Sequence, residues 1–137
     1  KDLPLRKISY PESAEGLSGT LRAAVADLPP TVTHLCVVLA DLPELAPVDF
    51  AQLFEHRRQY ADCLIWRSLS PNGKPAHPTL FHRDTFPAFA QISGDVGAQP
   101  VIAKFKSALH EFTSSRRAGS YDIDTPQDYK TYLKSQV

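Results

Sequence analysis

Nine residues, Leu35 to Pro43 (LCVVLADLP), constrain this chain more than any others. They form an apolar run rich in β-branched residues, stopped by an acid and then a proline. Such a run suits a strand buried on both faces, as in a parallel sheet flanked by helices. Asp41 then stands at the carboxyl end of the strand, the edge where open α/β sheets hold their ligands. A second acid-rich segment, Ser120 to Pro126 (SYDIDTP), repeats the pattern near the C-terminus. The expectation is that the two ends converge on one metal ion.

The rest of the chain alternates strands with helices. Lys7 to Tyr10 is expected as a short strand ended by Pro11, Glu12 to Gly16 as a polar bend, and Leu21 to Leu28 as a helix capped by Ser18 or Thr20 and stopped by Pro29-Pro30. After the central strand, Pro47 to Tyr60 has helical spacing, with a proline permitted in the first turn. Cys63 to Trp66 reads as an interior strand, Ser70 to Pro78 as a loop, and Thr79 to Phe81 as a brief strand. Arg83 to Ile92 is expected as a helix shortened or bent by Pro87, and Gly94 to Pro100 as a turn into a helix over Val101 to Leu109. A strand at His110 to Thr113, a basic turn at Arg116 and Arg117, a strand at Tyr121 to Ile123 and a helix at Thr125 to Lys134 follow. This alternation predicts an α/β fold, a Rossmann-like and mostly parallel sheet flanked by helices.

The totals bound the partners. With 137 residues the chain is enough for one domain, 1–137. Fifteen Lys and Arg balance fifteen Asp and Glu, so no overall field attracts nucleic acid or an acidic membrane. No apolar run approaches the ~20 residues that span a bilayer, and no basic-then-apolar leader is present. Cys36 and Cys63 both lie in apolar runs, where a thiol behaves as a small hydrophobe, which points to a reducing cytoplasm. The sequence contains no methionine, so it lacks an initiator and is not expected to be a complete unprocessed translation product.

Asp41 is the leading candidate for chemistry, because a carboxylate at a rigid strand tip is a good hard-oxygen ligand for Mg²⁺. An equally weighted reading makes it only a cap for the turn toward Pro43. Asp122 and Asp124 are two apart and face one side if their segment is a strand. Asp124 or Thr125 is a natural N-cap before Pro126, which leaves Asp122 as the better ligand. The turn from Gly16 to Thr20 offers backbone N–H groups at a helix start. The loop Gly73-Lys74-Pro75-Ala76-His77-Pro78 puts a cation and a histidine on one bend, and Gly94-Asp95-Val96-Gly97 reads as a turn.

In order, GLSGTLRAA, VVLADLPEL, GKPAHPTLF, SGDVGAQP and YDIDTPQDY resemble the MobA-like nucleotidyltransferases, most closely the molybdenum cofactor cytidylyltransferase (MocA-like) branch. The resemblance implies a Mg²⁺-dependent enzyme that transfers a nucleoside monophosphate, from CTP, to a phosphorylated pterin carrying molybdenum. It implies that Asp41 and Asp122 hold the metal, and that Gly16, Ser18, Gly19 and Thr20 line the nucleotide site. It also implies that Gly73, Ala76, His77 and Pro78, with Gly94 and Asp95, border the acceptor, and that a molybdoenzyme or chaperone makes transient contact. The chain departs from the family pattern in several places. Ser18 stands where glycine is common, Gly19 where serine or threonine is common, Ala40 and Ala76 replace glycines, and Gln99 replaces an arginine.

The family's opening strand and its glycine-rich phosphate loop have no counterpart in the sequence. That strand is central in the family's sheet, so its loss is expected to leave a gap of about 10 Å with two exposed edges. The chain is accordingly expected to be a fragment, a proteolysed remainder or the ordered part of a longer protein, and less so one whose gap another chain fills or whose sheet has rearranged. Two other readings compete with the enzyme. One is a truncated or degenerate relative that binds a ligand or protein without catalysis. The other is an unrelated flavodoxin-like domain, which predicts that Asp41 and Asp122 lie far apart.

Overall fold

The computed structural model describes residues 5–10 and 15–135. The chain forms two compact units, Lys1–His34 with His82–Ser107, and Leu35–Phe81 with Ala108–Val137.

The second unit carries the sheet, apart from the strand-end residues His34 and His82. Its strands are β1 (His34–Val37), β2 (Ile65–Leu69), β3 (Pro75–His82) and β4 (Leu109–Thr113), in the order β1-β3-β2-β4. The sheet is mixed. β2 and β4 run parallel, paired from Ile65↔Leu109 to Leu69↔Thr113, whereas β2 and β3 run antiparallel. The antiparallel pair follows from its short connection, since parallel strands need a crossover of a dozen residues or more. That connection is a tight turn, in which the Gly73 N–H donates to the Ser70 carbonyl at 2.8 Å. Gly73 takes φ 74° there, a region that a Cβ penalises.

The SPNGKPAHP segment is therefore only partly loop, and β3 begins at Pro75 rather than Thr79. Its two prolines lack the N–H of a regular ladder, and the register shifts between Arg67 and Leu69 opposite them, as expected where proline enters a sheet. The His77–Pro78 peptide bond is cis. β1 also differs from expectation, being shorter than the LCVVLADLP run and half-buried along its length. It is the outermost strand of the described sheet, so one of its flanks has no strand beside it. The strands succeed one another without the expected gap, because β3 lies directly beside β1.

The helix α2 (Pro47–Gln59) matches the sequence pattern. Pro47 occupies the first turn, and the Asp49 carboxylate accepts the Ala46 N–H at 2.8 Å, satisfying a donor the helix cannot pair itself. His56, Arg57 and Arg58 stand in its last turn, where cations complement the helix dipole. Its inner face sets the wholly buried Leu53 against Trp66, Leu80 and Phe112. Each such aliphatic side chain contributes about 2 kcal/mol on leaving water. The Trp66 indole N–H donates to the Tyr60 carbonyl at 3.1 Å.

The last helix of this unit, α5 (Pro126–Ser135), has Thr125 as its cap. The Asp128 carboxylate accepts from the Thr125 N–H at 2.8 Å and the Asp128 N–H donates back to the Thr125 hydroxyl at 3.1 Å, a reciprocal capping box. That arrangement holds the Asp128 carboxyl below its ordinary pKa, first through the Thr125 hydroxyl. Tyr121–Ile123 is not a strand. It is irregular and follows a 3₁₀ turn at Ala118–Ser120.

The first unit packs α1 (Leu17–Ala26), α3 (Phe86–Phe89) and α4 (Gln99–Lys104) around Phe89, Ile92 and Val101, all buried. The helix α1 begins four residues earlier than the sequence suggested. Its N-cap is Gly16 at φ 94°, not Ser18 or Thr20. The expected Arg83–Ile92 helix splits into a 3₁₀ turn, Arg83–Thr85, and the single turn of α3, because Pro87 has no N–H to carry the helical ladder across the junction. Val101–Leu109 likewise ends early, with α4 closing at Lys104 and β4 starting at Leu109. Lys7–Tyr10 has no regular structure. Tyr10 is instead held by its hydroxyl, which donates to Glu15 at 2.5 Å and accepts from Arg22 at 3.3 Å. Pro11 and most of the Glu12–Gly16 bend lie outside the described residues. Cys36 and Cys63 are free thiols. No helix among the described residues is long and apolar enough to cross a membrane.

Candidate functional site

In the second unit, the segment after β1 turns at Asp41, and the Ile123 N–H donates to the Asp41 carbonyl at 3.0 Å. That bond ties the YDID segment to the carboxyl end of β1. Asp41 and Asp122, 81 positions apart, are thereby backbone neighbours, and both are exposed. Asp122 lines an open hollow of about 540 Å³, with Leu39 and Leu42 as apolar wall and Ser70, Asn72, Lys74, His77, Arg117 and Ser120 as polar wall. Asp41 is not on the wall of this hollow, yet its negative charge acts on the His77 imidazole.

His77 connects these parts. The Val37 carbonyl only accepts, so the contact at 3.3 Å puts the proton on His77 Nδ1 and leaves Nε2 with its lone pair when the ring is neutral. Burial pushes the imidazole below its ordinary pKa, and the Val37 bond and Asp41 oppose this more weakly. Gly119 seals the arrangement, since a Cβ there would stand 1.7 Å from the His77 carbonyl oxygen. The 3₁₀ turn can lie against β3 only because residue 119 has no side chain.

The cations around the hollow differ in freedom. Arg117 is held by both oxygens of Glu44, at 3.2 and 2.8 Å, and covers the Tyr121 ring at 4.1 Å. Glu44 raises its pKa further, fixing the charge. Arg116 donates to the buried Asp49 at 3.1 Å and to the Glu44 carbonyl at 2.9 Å. Lys74 is exposed and forms no ion pair among the described residues.

Of the acceptor residues named from the sequence, Ala76, His77 and Pro78 lie on β3 and Gly73 in the turn before it. Gly94 and Asp95 lie in the first unit, and there they meet the residues expected to line the nucleotide site. The Asp95 carboxylate accepts the Leu17 N–H at 3.0 Å, the Gly94 carbonyl accepts the Ser18 N–H at 3.1 Å, and the Ser18 hydroxyl donates to the Gly97 carbonyl at 3.2 Å. The chain itself thus fills the anion-attracting start of α1. Ser18 and Gly19 are buried, and a Cβ on Gly19 would come within 2.6 Å of the Tyr10 hydroxyl. Thr20 is exposed.

Sequence reasoning missed Arg117, Ser70, Asn72 and Ser120 as parts of one hollow. Arg117 could be read only as half of a basic turn. No local signal marks it, because its partner Glu44 stands 73 positions away.

As a donor set, Asp41 and Asp122 offer hard carboxylate oxygens, and among the described residues no three His, Cys, Asp or Glu side chains form a metal-holding group. Two carboxylates fit Mg²⁺, which keeps several waters and takes its remaining ligands from substrate phosphates.

Known proteins give the arrangement its context. The crystal structure of Rv0371c from Mycobacterium tuberculosis H37Rv superimposes with a TM-score of 0.70 at 25% identity, covering 85% of this chain and 59% of that one. The manganese complex of Rv0371c gives 0.66 at 26% identity, covering 83% and 59%. The Rv0371c homologue from Mycobacterium sp. strain JC1 gives 0.69 at 25% identity, covering 86% and 57%. The chain thus spans less than two thirds of the length of these neighbours. No curated protein sequence matches it. The MobA-like NTP transferase domain matches over residues 1–111, and the chain belongs to that family.

Proposed function

We propose that this chain is part of a metal-dependent nucleotidyltransferase. A phosphate oxygen of the acceptor attacks the α-phosphorus of a nucleoside triphosphate, the bond to the bridging oxygen breaks, and pyrophosphate leaves. CTP is the donor and a phosphorylated, molybdenum-bearing pterin the acceptor, the cation is Mg²⁺, and the reaction belongs to the cytoplasm. The observation that supports this reading most is the hydrogen bond from Ile123 to Asp41, which joins the backbone next to Asp122 to that of Asp41 beside a hollow that Asp122 lines and that is roomy enough for part of a substrate.

The reaction needs alignment and charge compensation more than a protein nucleophile. Asp41 and Asp122 would hold the ion, which when bound offsets negative charge on the phosphate oxygens. Lys74 supplies a free positive charge for the acceptor's phosphate. Neutral His77, with Nδ1 committed to Val37, presents Nε2 as a hydrogen-bond acceptor toward a substrate hydroxyl or amino group. Glu44 neutralises Arg117 and orients it, so the hollow is not overloaded with positive charge. Gly73, Ala76 and Pro78 shape the acceptor side. Gly16, Ser18, Gly19 and Thr20 line the nucleotide, and Gly94 and Asp95 border the acceptor.

A second reading, a relative that binds without transferring, is favoured by one observation. The Leu17 and Ser18 amides at the start of α1 are already occupied by Asp95 and Gly94. Pyrophosphate release from CTP, GTP and UTP in the presence of Mg²⁺ separates the two, assayed on the whole protein to which the chain belongs. The transferase reading expects release that falls at least a hundredfold in Asp41→Asn, since each lost anionic metal contact costs several kcal/mol of transition-state stabilisation. Unchanged release in that variant would remove Asp41 from the mechanism. Nucleotide binding without release in the unaltered protein would favour the binding module.

A further inference from the structure

We infer that His56 and His110 form a transition-metal site on the second unit, separate from the Asp41–Asp122 pair. His56 lies in the last turn of α2 and His110 on β4, and His56 Nδ1 stands 3.2 Å from His110 Nε2. Metal–imidazole bonds of about 2.1 Å put two nitrogens on one ion roughly 3.0 to 3.4 Å apart, between right-angled and tetrahedral geometry. The observed separation falls inside that interval without movement of either backbone.

Both rings are braced in place. His56 stacks on Phe112 with centroids 4.0 Å apart and planes 14° from parallel. His110 stacks on Tyr60 at 3.7 Å and 18°. Phe112 is itself buried in the core, so the platform under His56 is rigid, and a rigid pair of donors loses little freedom on binding. Among the described residues the only hydrogen bond either imidazole makes is to the other. No carboxylate or carbonyl competes for the inner nitrogens. Burial lowers the pKa of both rings, and for His110 the neighbouring His56 adds to the effect, so both are neutral donors at neutral pH.

In the metal-free pair one inner nitrogen carries the bridging proton. On binding, that ring changes tautomer, its proton moves to its outer nitrogen on the solvent side, and both rings pivot in their stacking planes so that the inner lone pairs, which face each other in the hydrogen bond, meet on the ion. No net proton is released. Imidazole selects zinc, copper or nickel over magnesium, and water completes the coordination. The ligand class is thus a borderline divalent cation, distinct in chemistry from the hard ion assigned to the acids.

The test is a titration of the full chain with ZnCl₂, read by calorimetry and by the imidazole ¹⁵N resonances. The expected result is a saturable site at the two histidines, with His56 Nδ1 and His110 Nε2 shifting together and excess Mg²⁺ failing to displace the zinc from them. His56→Gln and His110→Gln should each weaken binding at least tenfold, while Asp41→Asn leaves it unchanged. Zinc binding of equal strength in both His variants would overturn the inference, as would the absence of saturation in the unaltered chain or a shift of only one of the two rings. If a variant fails to fold, the paired ¹⁵N shifts of the unaltered chain decide the matter alone. None of these outcomes depends on nucleotidyl transfer.

Discussion

Gly119→Ala would test how the candidate site is held together. Gly119 lies in a 3₁₀ turn with no positive φ, so alanine is conformationally allowed and, by stiffening the unfolded chain, would on its own stabilise by about 0.4 to 1 kcal/mol. The obstacle is steric. The added Cβ would stand 1.7 Å from the His77 carbonyl oxygen, 2.8 Å from its carbonyl carbon and 3.0 Å from its nitrogen. All three are backbone atoms, so no side chain can rotate away. Relief to ordinary contact needs a displacement of roughly 1.5 Å in a closely packed region. Overpacking of this severity costs about 3 kcal/mol, which outweighs the entropic gain. The net loss of about 2 kcal/mol lowers Tm by roughly 6 to 10 °C in a chain of this size. Urea unfolding followed by Trp66, the one tryptophan in the sequence and buried, measures it. Gly73→Ala is the control. It meets nothing within 4 Å but sits at φ 74°, so it should cost only about 1 kcal/mol. If Gly119→Ala is as stable as the parent, the turn does not lie against His77 as described, and the hollow loses its wall.

Two pH-dependent outcomes follow from the charged groups. Glu15 is held down to about 2 from an ordinary 4.5 by hydrogen bonds from Arg22 and then Tyr10. Because its folded value is depressed, the stability it contributes is complete above 4.5 and lost as pH falls toward 2. A carboxyl ¹³C titration should place its midpoint near 2, and Arg22→Gln should move it up; a midpoint near 4.5 in the parent would contradict the ion pair. Burial lowers the His77 value from 6.5. The unfolded chain therefore takes up its proton first, and stability declines as pH falls through 6.5 toward the folded value. An imidazole midpoint at or above 6.5 would show that His77 is not desolvated at the hollow.

Much of the architecture was legible because it depends on local signals. The α2 boundaries follow from Pro47 and the spacing of the apolar residues, and the start of α5 from Pro126, although the sequence left Asp124 and Thr125 both open as its cap and the reciprocal bonds with Asp128 select Thr125. Four of the predicted strands coincide at least in part with β1 to β4. The misreadings arose where non-local partners decided the outcome. Prolines 75 and 78 suggested a loop, but the hairpin with β2 draws them into a strand at a register irregularity. LCVVLADLP suggested full burial, which depends on neighbours its own residues do not specify. Tyr121–Ile123 has strand composition but, among the described residues, a single backbone hydrogen bond to the β1 side, from Ile123 to Asp41, too little for a ladder. The acids at 41 and 122 stood out in the sequence because carboxylates after apolar runs are conspicuous. Arg117 did not, because its role depends on Glu44 and Tyr121, which only the fold brings to it.

The account turns on whether Asp41 and Asp122 share one ion. The most direct measurement is an anomalous difference map from a crystal of the protein soaked with MnCl₂ and CTP. The account predicts one peak with carboxylate oxygens of both residues at about 2.1 Å, absent from the Asp41→Asn and Asp122→Asn crystals. A map with no peak at the two acids, or a peak there that survives both substitutions, would contradict it.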